Sequence, residues 1–254
     1  MSNLIESTDF SFVNDNWRLQ PIIDAQSGEV FGYEMLTRFL SPSQAESYFR
    51  QATSEDVMML FESQQEWVGL QTDSPHRYFC NLPVEILKNV DLCSKLMLDL
   101  DVFHSTQESE SPDILFNRCV VELQDPEVIP RLSERSRRHL NTHLSALRDQ
   151  SVSVWIDDVT QALLPSMEHL AGAVDGIKID KETFWHLADR PSELKRFIAR
   201  CKQICSLTLI EGIETALHCE QAIEAGADFL QGYFWPELSS HNNKVDGLRL
   251  GGNA

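Results

Sequence analysis

Short apolar runs of strand length recur along this chain, and longer segments with helical periodicity separate most of them. The helical pattern is clearest over residues 54–70, which open on a serine able to cap a helix, and over residues 191–205. Strands that alternate with helices predict an α/β protein with a parallel sheet, and eight such units in 254 residues predict a closed (β/α)8 TIM-type barrel. The eight predicted strands are residues 19–24, 30–36, 77–82, 118–123, 152–157, 176–179, 207–213 and 228–231.

The first two predicted strands cannot be joined in the same way as the others. Only residues 25–29 lie between them, whereas a parallel pair needs a connection of about a dozen residues or more. We therefore expect a hairpin that turns at Ser27 and Gly28, which gives the barrel an antiparallel first strand. The polar stretch 104–112 predicts a surface loop, and the chain divides into an N-terminal extension, residues 1–18, and one barrel domain, residues 19–254.

Charge and composition exclude several classes of partner. The chain has 21 Lys and Arg against 39 Asp and Glu, a formal net charge of −18 that argues against binding to DNA or to an anionic membrane surface. No apolar run reaches the roughly 18 residues of a membrane span, and the N-terminus lacks the features of a secretory signal, so we expect a cytoplasmic protein. The six cysteines form no CxxC pair, which favours free buried thiols over a zinc site.

Polar side chains stand at the C-terminal ends of most of the predicted strands, where barrel active sites collect. One such residue could reflect nothing more than the polarity of loops, but seven of the eight strands end in this way. Clustered carboxylates repel one another and are not a packing device, whereas hard divalent cations require oxygen-rich clusters of this kind. The residues are Glu34, Asn81, Glu122, Asp157 with Asp158, Lys178, Glu211 with Glu214, and Gln231.

Such a cluster suits the hydrolysis of a phosphate ester. An acidic chain binds an anionic ester only if cations offset its field, and two cations about 3.5–4 Å apart, bridged by Asp157, could clamp a phosphodiester and ionise a water. Lys178 would then act as a point charge near that water or a phosphate oxygen, and Arg38 as a second phosphate contact. The alternative for Lys178 is an ordinary salt bridge with Asp157 or Asp180.

Seven stretches of the sequence resemble, in the same order, the motifs of EAL-domain cyclic di-GMP phosphodiesterases. The 21 residues from Asp157 to Lys178 and the 20 from Glu211 to Gln231 are spacings typical of that family. The stretches are QPI with EMLTRF (20–39), similar to QPI and EALLRW; NLP (81–83), similar to NLS; VELQD (121–125), similar to E-x-x-E; IDD (156–158), similar to the start of DDFGTG; VDGIKID (174–180), similar to VDxxKID; EGIET (211–215), similar to EGVET; and LQGYF (230–234), similar to QGYxF.

The resemblance implies a role for each of these residues and a reaction, the hydrolysis of cyclic di-GMP to pGpG with Mg²⁺ or Mn²⁺ in a two-metal site. Glu211 would be a further metal ligand or a general base, Lys178 would position the hydrolytic water, and Asp158 would lie at the second metal or the activated water. The implied metal ligands are Glu34, Asn81, Glu122, Asp157, Asp158 and Glu211; the implied substrate-binding residues are Arg38, Gln231 and Leu36; and the implied supporting residues are Glu214 and Asp125.

Three departures from the family pattern leave a second hypothesis open. Met35 replaces the alanine of EAL, Asp125 replaces the second glutamate of E-x-x-E, and residues 159–162 read VTQA where the family has FGTG. Loss of both glycines restricts the backbone of the loop that holds Asp158. The first hypothesis is an active phosphodiesterase in bacterial second-messenger signalling. The second is a catalytically weak or inactive module that binds cyclic di-GMP or a regulatory protein partner that controls motility or biofilm; either could act as a homodimer.

Overall fold

The computed structural model describes residues 17–38, 48, 51–71, 74–97 and 118–240, which form an eight-stranded barrel with helices on its outside. The predicted loop 104–112 lies outside the described residues, as does most of the predicted extension 1–18. The barrel strands are β1 Trp17–Asp24, β2 Val30–Thr37, β3 Arg77–Pro83, β4 Cys119–Gln124, β5 Ser153–Val159, β6 Gly176–Ile179, β7 Leu207–Ile210 and β8 Phe229–Gln231. The helices are α1 Ser54–Gly69, α2 Val84–Lys88, α3 Glu134–Asp149, α4 Leu164–Met167, α5 Lys181–Ala188, α6 Pro191–Cys201 and α7 Ala216–Ala225, with 3₁₀ turns at Pro126–Arg131 and Glu168–Leu170 and further helical residues at 90–97.

The barrel closes through its antiparallel first strand, as the short first connection predicts. Strand β1 pairs antiparallel with β2, with Gln20 opposite Glu34, and antiparallel with β8, with Ile22 opposite Gln231. Strands β2 to β8 pair in parallel in chain order. In the hairpin turn Gly28 adopts a φ of 71°, a left-handed conformation that glycine takes without a steric cost. The fold class is therefore confirmed.

Two strand boundaries differ from the predicted ones. Strand β7 ends at Ile210 rather than at residue 213, because Gly212 turns the chain with a φ of 75° immediately after Glu211. A ninth strand, β9 Leu238–Ser239, pairs with the first half of β1 and was not predicted. It is two residues long and has no alternating pattern that would mark it as a strand.

Two helix ends also differ. The cap of α1 is Thr53 rather than Ser54: the Thr53 side chain accepts a hydrogen bond from the backbone N–H of Asp56, whose carboxylate accepts one from the N–H of Thr53. Helix α6 ends at Cys201 rather than at residue 205, although Cys205 remains buried beneath the turn that follows. All six cysteines are free thiols; five of them are buried, as expected, whereas Cys219 is only partly buried. Among the described residues, no helix is both long enough and apolar enough to cross a membrane.

Side chains fill the barrel interior in two layers, one apolar and one polar. Because side chains alternate along a strand, residues two apart face the same way, so the apolar residue Phe79 shares a face with Asn81 and Trp155 shares one with Asp157. On β3, β4, β5, β7 and β8 the apolar residue lies two residues before the polar one, and on the antiparallel β1 it lies two residues after Gln20. The apolar layer seals the barrel below the polar residues. It consists of Ile22, Phe79, Val120, Trp155, Leu209 and Phe229.

We expect Gly176→Ala to destabilise the fold, because Gly176 makes room for the indole of Trp155. A Cβ added at Gly176 would lie 2.3 Å from the Cδ2 atom of Trp155, and overpacking of a core costs about 1–3 kcal/mol. Urea unfolding monitored by circular dichroism measures this loss. The same alanine should cost less in a Trp155→Phe background, where the ring is smaller; an equal cost in both backgrounds would contradict this packing account.

Candidate functional site

The ammonium group of Lys178 lies at the centre of the polar layer and is fully buried. Its Nζ is 3.2 Å from an oxygen of Glu34, 3.1 Å from one of Asp157 and 2.8 Å from one of Glu211, and it also donates a hydrogen bond to Glu122. Three of these carboxylates come from the C-terminal halves of β2, β4 and β5, and the fourth, Glu211, immediately follows β7. The barrel thus brings together five of the predicted site residues. Lys178 pairs with four carboxylates, whereas the alternative interpretation expected one salt bridge.

Side-chain amides surround the Glu34 carboxylate. Gln231 donates a hydrogen bond of 2.6 Å to one oxygen of Glu34, and Asn81 donates one of 3.3 Å to the other. The amide of Gln231 also donates to the side-chain oxygen of Gln20 at 3.0 Å, so three adjacent strands fix this group. Gln20 was not predicted as a site residue, although its position opposite Glu34 in the hairpin is the signal that could have identified it.

Asp157 and Asp158 are neighbours in sequence, so regular alternation along β5 would point their side chains to opposite faces. The chain breaks this alternation. The pairing of β5 with β6 shifts between Ile156 and Val159, and Asp158 adopts a φ of 50°. Aspartate is one of the few residues that tolerate this left-handed conformation. Both aspartates consequently line the same cavity.

The charges in the cluster perturb one another strongly. Burial alone would lower the pKa of Lys178, but the carboxylates, with Asp157 the strongest, raise it well above the ordinary value of 10.5. Burial alone would raise the pKa of Glu34, but attraction to Lys178 and the hydrogen bonds from Gln231 and Asn81 lower it below 4.5. Glu34 and Lys178 therefore form an ion pair at neutral pH.

The cluster contains more carboxyl groups than one lysine can neutralise, so the remaining groups hold their protons more tightly. Burial, together with repulsion by Glu34, raises the pKa of Glu122 well above its ordinary value. Burial raises the pKa of Glu211 to about 8, and burial with the charge of Asp157 raises that of Asp158 to about 6. Three neighbouring acids with raised pKa values form a site that a cation would stabilise.

The donor set fits a divalent cation. One carboxylate oxygen from each of Asp157, Asp158 and Glu211 lies within 4.8 Å of the others, and all three are hard oxygen ligands. Three further oxygens are buried without a hydrogen-bond partner among the described residues, namely Asn81 Oδ1, Glu122 Oε2 and Gln231 Oε1. Buried oxygens of this kind are rarely left unpaired, and a coordinated ion or its water ligands would satisfy them.

A cavity of about 350 Å³ opens above this cluster. Glu214 lies in its wall, as do several residues for which no role was predicted. Tyr233 lies two residues after Gln231. Trp185 belongs to helix α5, and the periodicity of the strands does not predict how that helix is oriented. The lining residues are Gln20, Glu34, Asp157, Asp158, Asp180, Lys181, Trp185, Glu211, Gly212, Glu214, Gln231, Gly232 and Tyr233.

Six of the predicted site residues do not line this cavity. Asn81, Glu122 and Lys178 belong to the buried cluster beneath it, and the other three lie elsewhere. Arg38 follows β2 and donates a hydrogen bond of 3.1 Å to the hydroxyl of Ser239 in β9. Leu36 is partly buried in β2, opposite Arg18. Asp125 immediately precedes the 3₁₀ turn after β4 and has a φ of 59°. Burial, with the charges of neighbouring acids that include Asp157, raises its pKa.

The segment 159–162, which departs from the family motif, forms an ordinary turn. Val159 is buried at the end of β5, and the hydroxyl of Thr160 accepts a hydrogen bond of 3.3 Å from the backbone N–H of Leu163. None of the residues 159–162 has a positive φ. The missing glycines therefore do not force residues 159–162 into a left-handed conformation. The left-handed residue is the one before them, Asp158.

We expect Lys178→Met to destabilise the metal-free protein by about 3–5 kcal/mol, because it leaves buried carboxylates without their cation. Chemical unfolding in the presence of a chelator measures this change. The matched control is Lys202→Met, which removes a half-exposed 2.8 Å ion pair with Asp228 and should cost about 1 kcal/mol or less. Equal losses in the two variants would contradict a special role for the buried lysine.

We also expect the stability of the metal-free protein to fall as the pH rises. A carboxyl group whose pKa is raised by folding binds its proton more tightly in the folded state than in the unfolded state. Below its unfolded pKa the group is protonated in both states and does not change stability, whereas at higher pH its ionisation favours the unfolded state. For Glu211 this window extends from 4.5 to about 8. Added Mn²⁺ should raise the melting temperature more at the upper end of this window than at the lower end, since it binds ionised carboxylates. A pH-independent metal effect would contradict this account.

Known proteins share this architecture and some of this sequence. BlrP1 of Klebsiella pneumoniae has a TM-score of 0.65 and 19% identity, with 92% of this chain and 58% of the BlrP1 chain covered. An EAL domain protein of Listeria monocytogenes has a TM-score of 0.66 and 18% identity, with 94% and 95% covered. The FimX EAL domain from Pseudomonas aeruginosa has a TM-score of 0.65 and 18% identity, with 87% and 89% covered.

No curated protein sequence matches this chain significantly. The structural likeness, at under a quarter identity, concerns the fold alone. The family model provides the sequence evidence: the model of the EAL domain matches residues 14–237, which include every strand of the barrel and every residue of the cavity wall. This chain belongs to the EAL domain family.

Proposed function

We propose that this protein is a metal-dependent phosphodiesterase that hydrolyses cyclic di-GMP to pGpG. The observation that carries the proposal is the oxygen cluster of Asp157, Asp158 and Glu211 at the mouth of the barrel, with Lys178 beneath it. A cavity with this donor set concentrates the groups that cleave phosphodiesters in two-metal enzymes. Every position that the family resemblance assigns to a ligand holds a residue that can coordinate a cation.

The structural neighbours support the choice of substrate and cofactor. BlrP1 has been solved in complex with calcium and cyclic di-GMP, and also with manganese and cyclic di-GMP. The FimX EAL domain has been solved bound to cyclic di-GMP. These ligands belong to those proteins, and their transfer to this chain, with Mg²⁺ or Mn²⁺ as the cofactor, is part of the proposal.

Six residues would hold two cations in the cavity. When bound, the cations would polarise the scissile phosphate and lower the pKa of an attacking water. Asn81 is already oriented by its hydrogen bond to Glu34, so its free carbonyl oxygen would complete the ligand set at low entropic cost. The proposed ligands are Glu34, Asn81, Glu122, Asp157, Asp158 and Glu211.

Other residues would move protons and place the substrate. Glu211, exposed enough to meet solvent in the cavity, would accept the proton of the attacking water. Lys178 is held protonated by its carboxylates and would supply a fixed positive charge beside that water. Arg38, Gln231 and Leu36 would contact the substrate, while Glu214 and Asp125 would support the loops around the site.

The altered turn at 159–162 favours one alternative function, a module that binds cyclic di-GMP, or a protein partner, with little turnover. Asp158 is the ligand nearest this turn, and its left-handed backbone is held without the flexibility of neighbouring glycines. A misplaced Asp158 would reduce the rate of hydrolysis more than the affinity for substrate. Nucleotide binding in Ca²⁺ without pGpG formation in Mn²⁺ would establish this alternative.

Asp157→Asn and Glu122→Gln should each reduce turnover by at least about two to three orders of magnitude, because each removes a charged ligand of a Lewis-acid site. The purified protein is incubated with cyclic di-GMP and Mn²⁺, and pGpG is followed by chromatography. Asp149→Asn, which changes an exposed carboxylate at the end of α3, is the matched control and should leave turnover unchanged. Near-normal hydrolysis by both cluster variants would refute the metal assignment.

A further inference from the structure

Trp185 stands apart from the buried tryptophans of this protein. The chain has five tryptophans, and Trp17, Trp67 and Trp155 are each at most 2% exposed. Trp185 is 40% exposed and lines the cavity above the carboxylate cluster. A single exposed apolar side chain is common on protein surfaces, but an aromatic ring exposed inside a cavity offers a ligand a large apolar contact area.

The polar edge of this indole is already bonded. The ring nitrogen of Trp185 donates a hydrogen bond of 2.8 Å to the carbonyl oxygen of Gly212, which follows Glu211 at the end of β7. Gly212 fits closely against the ring, since a Cβ added there would lie 2.9 Å from the Nε1 atom of Trp185. The bond fixes the orientation of the ring, and the surface that remains available in the cavity is apolar.

The cavity therefore offers two kinds of chemistry. Its acidic side chains can bind cations and hydrogen-bond donors. An apolar aromatic face can neither coordinate a metal ion nor donate a hydrogen bond to a phosphate. A planar nucleobase is the part of a dinucleotide that such a face recognises, and stacking of a base on an aromatic ring contributes to binding whatever the identity of the base. The exposed ring of Tyr233, at 72%, lies in the wall of the same cavity.

We propose that Trp185 is the platform on which a purine base of the cyclic dinucleotide stacks. This inference rests on the proposed function and adds a substrate-binding residue that none of the motifs contains. The base would cover the indole face while the phosphodiester lies over the carboxylate cluster. Trp185 would accordingly contribute to the affinity for nucleotide and not to the chemical step.

A purely positional role for Trp185 makes a different prediction. Through its bond to Gly212, the indole N–H could instead hold the loop that carries Glu211. Trp185→Phe removes the N–H and keeps an aromatic face, whereas Trp185→Leu removes both. The platform predicts that Phe retains most of the affinity and Leu does not, while the positional role predicts that the two variants fail alike.

The first test is calorimetric titration of the full chain with cyclic di-GMP in Ca²⁺. Stacking on an aromatic ring is worth enough that Trp185→Leu should raise Kd about tenfold or more, and Trp185→Phe should raise it about threefold or less. Leu217→Ala is the matched control, because Leu217 is 58% exposed on the neighbouring helix α7 and does not line the cavity; its Kd should not change. In Mn²⁺, Trp185→Leu should raise KM with little change in kcat, as expected for loss of uniform binding.

The second test uses fluorescence and does not depend on turnover. Acrylamide reaches exposed tryptophans, so cyclic di-GMP in Ca²⁺ should protect part of the wild-type emission from quenching, and this protection should be absent in Trp185→Phe. A wild-type protein that does not bind cyclic di-GMP would overturn the proposed function and the platform together. Binding by the wild type with an unchanged Kd in Trp185→Leu, or an equal loss in Phe and Leu, would overturn the platform alone.

Discussion

The pairing of one buried ammonium group with four carboxylates determines how the mouth of this barrel is built. A charge taken fully out of water is very costly unless it is paired and hydrogen-bonded, and Lys178 has no exposed surface. Its partners Glu34, Glu122, Asp157 and Glu211 come from separate strands, so the ends of these strands must converge on β6. The same convergence brings more carboxyl groups together than one lysine can neutralise, so the cluster is more than a simple ion pair.

The apolar layer beneath the cluster is its necessary complement. On β6 there is room for the long side chain of Lys178. Two residues earlier on the same face, at Gly176, there is no room for a side chain at all. The space left by Gly176 holds the indole of Trp155, which packs edge-on against Phe79 at 5.2 Å between ring centroids. This plug keeps water from entering the cluster from below, and a lower local polarity strengthens every charge interaction above it.

The parts of the site that the sequence predicts are those that strand periodicity controls. Glu34, Asn81 and Glu122 sit on β-strands whose alternation fixes the face of each side chain, so their convergence follows from the barrel alone. Trp185 could not be predicted in this way, because its place at the cavity depends on the angle at which α5 lies against the strand ends. The short strand β9 depends on its pairing with β1, and the start of α1 depends on one hydrogen bond to Thr53. Local sequence patterns predict such features poorly.

Asp158 shows where local sequence and global geometry conflict. A strand that continued its alternation would turn this side chain away from Asp157, and the left-handed φ of 50° reverses it into the cavity. The cost of that conformation is small for aspartate, so glycines at 159–162 are not needed to form the turn itself, which Thr160 closes with its own hydroxyl. What the substituted turn removes is freedom for the backbone to adjust around Asp158. The departure from the family motif therefore acts on the precision with which the Asp158 carboxylate is held, while the carboxylate cluster and the cavity stay intact.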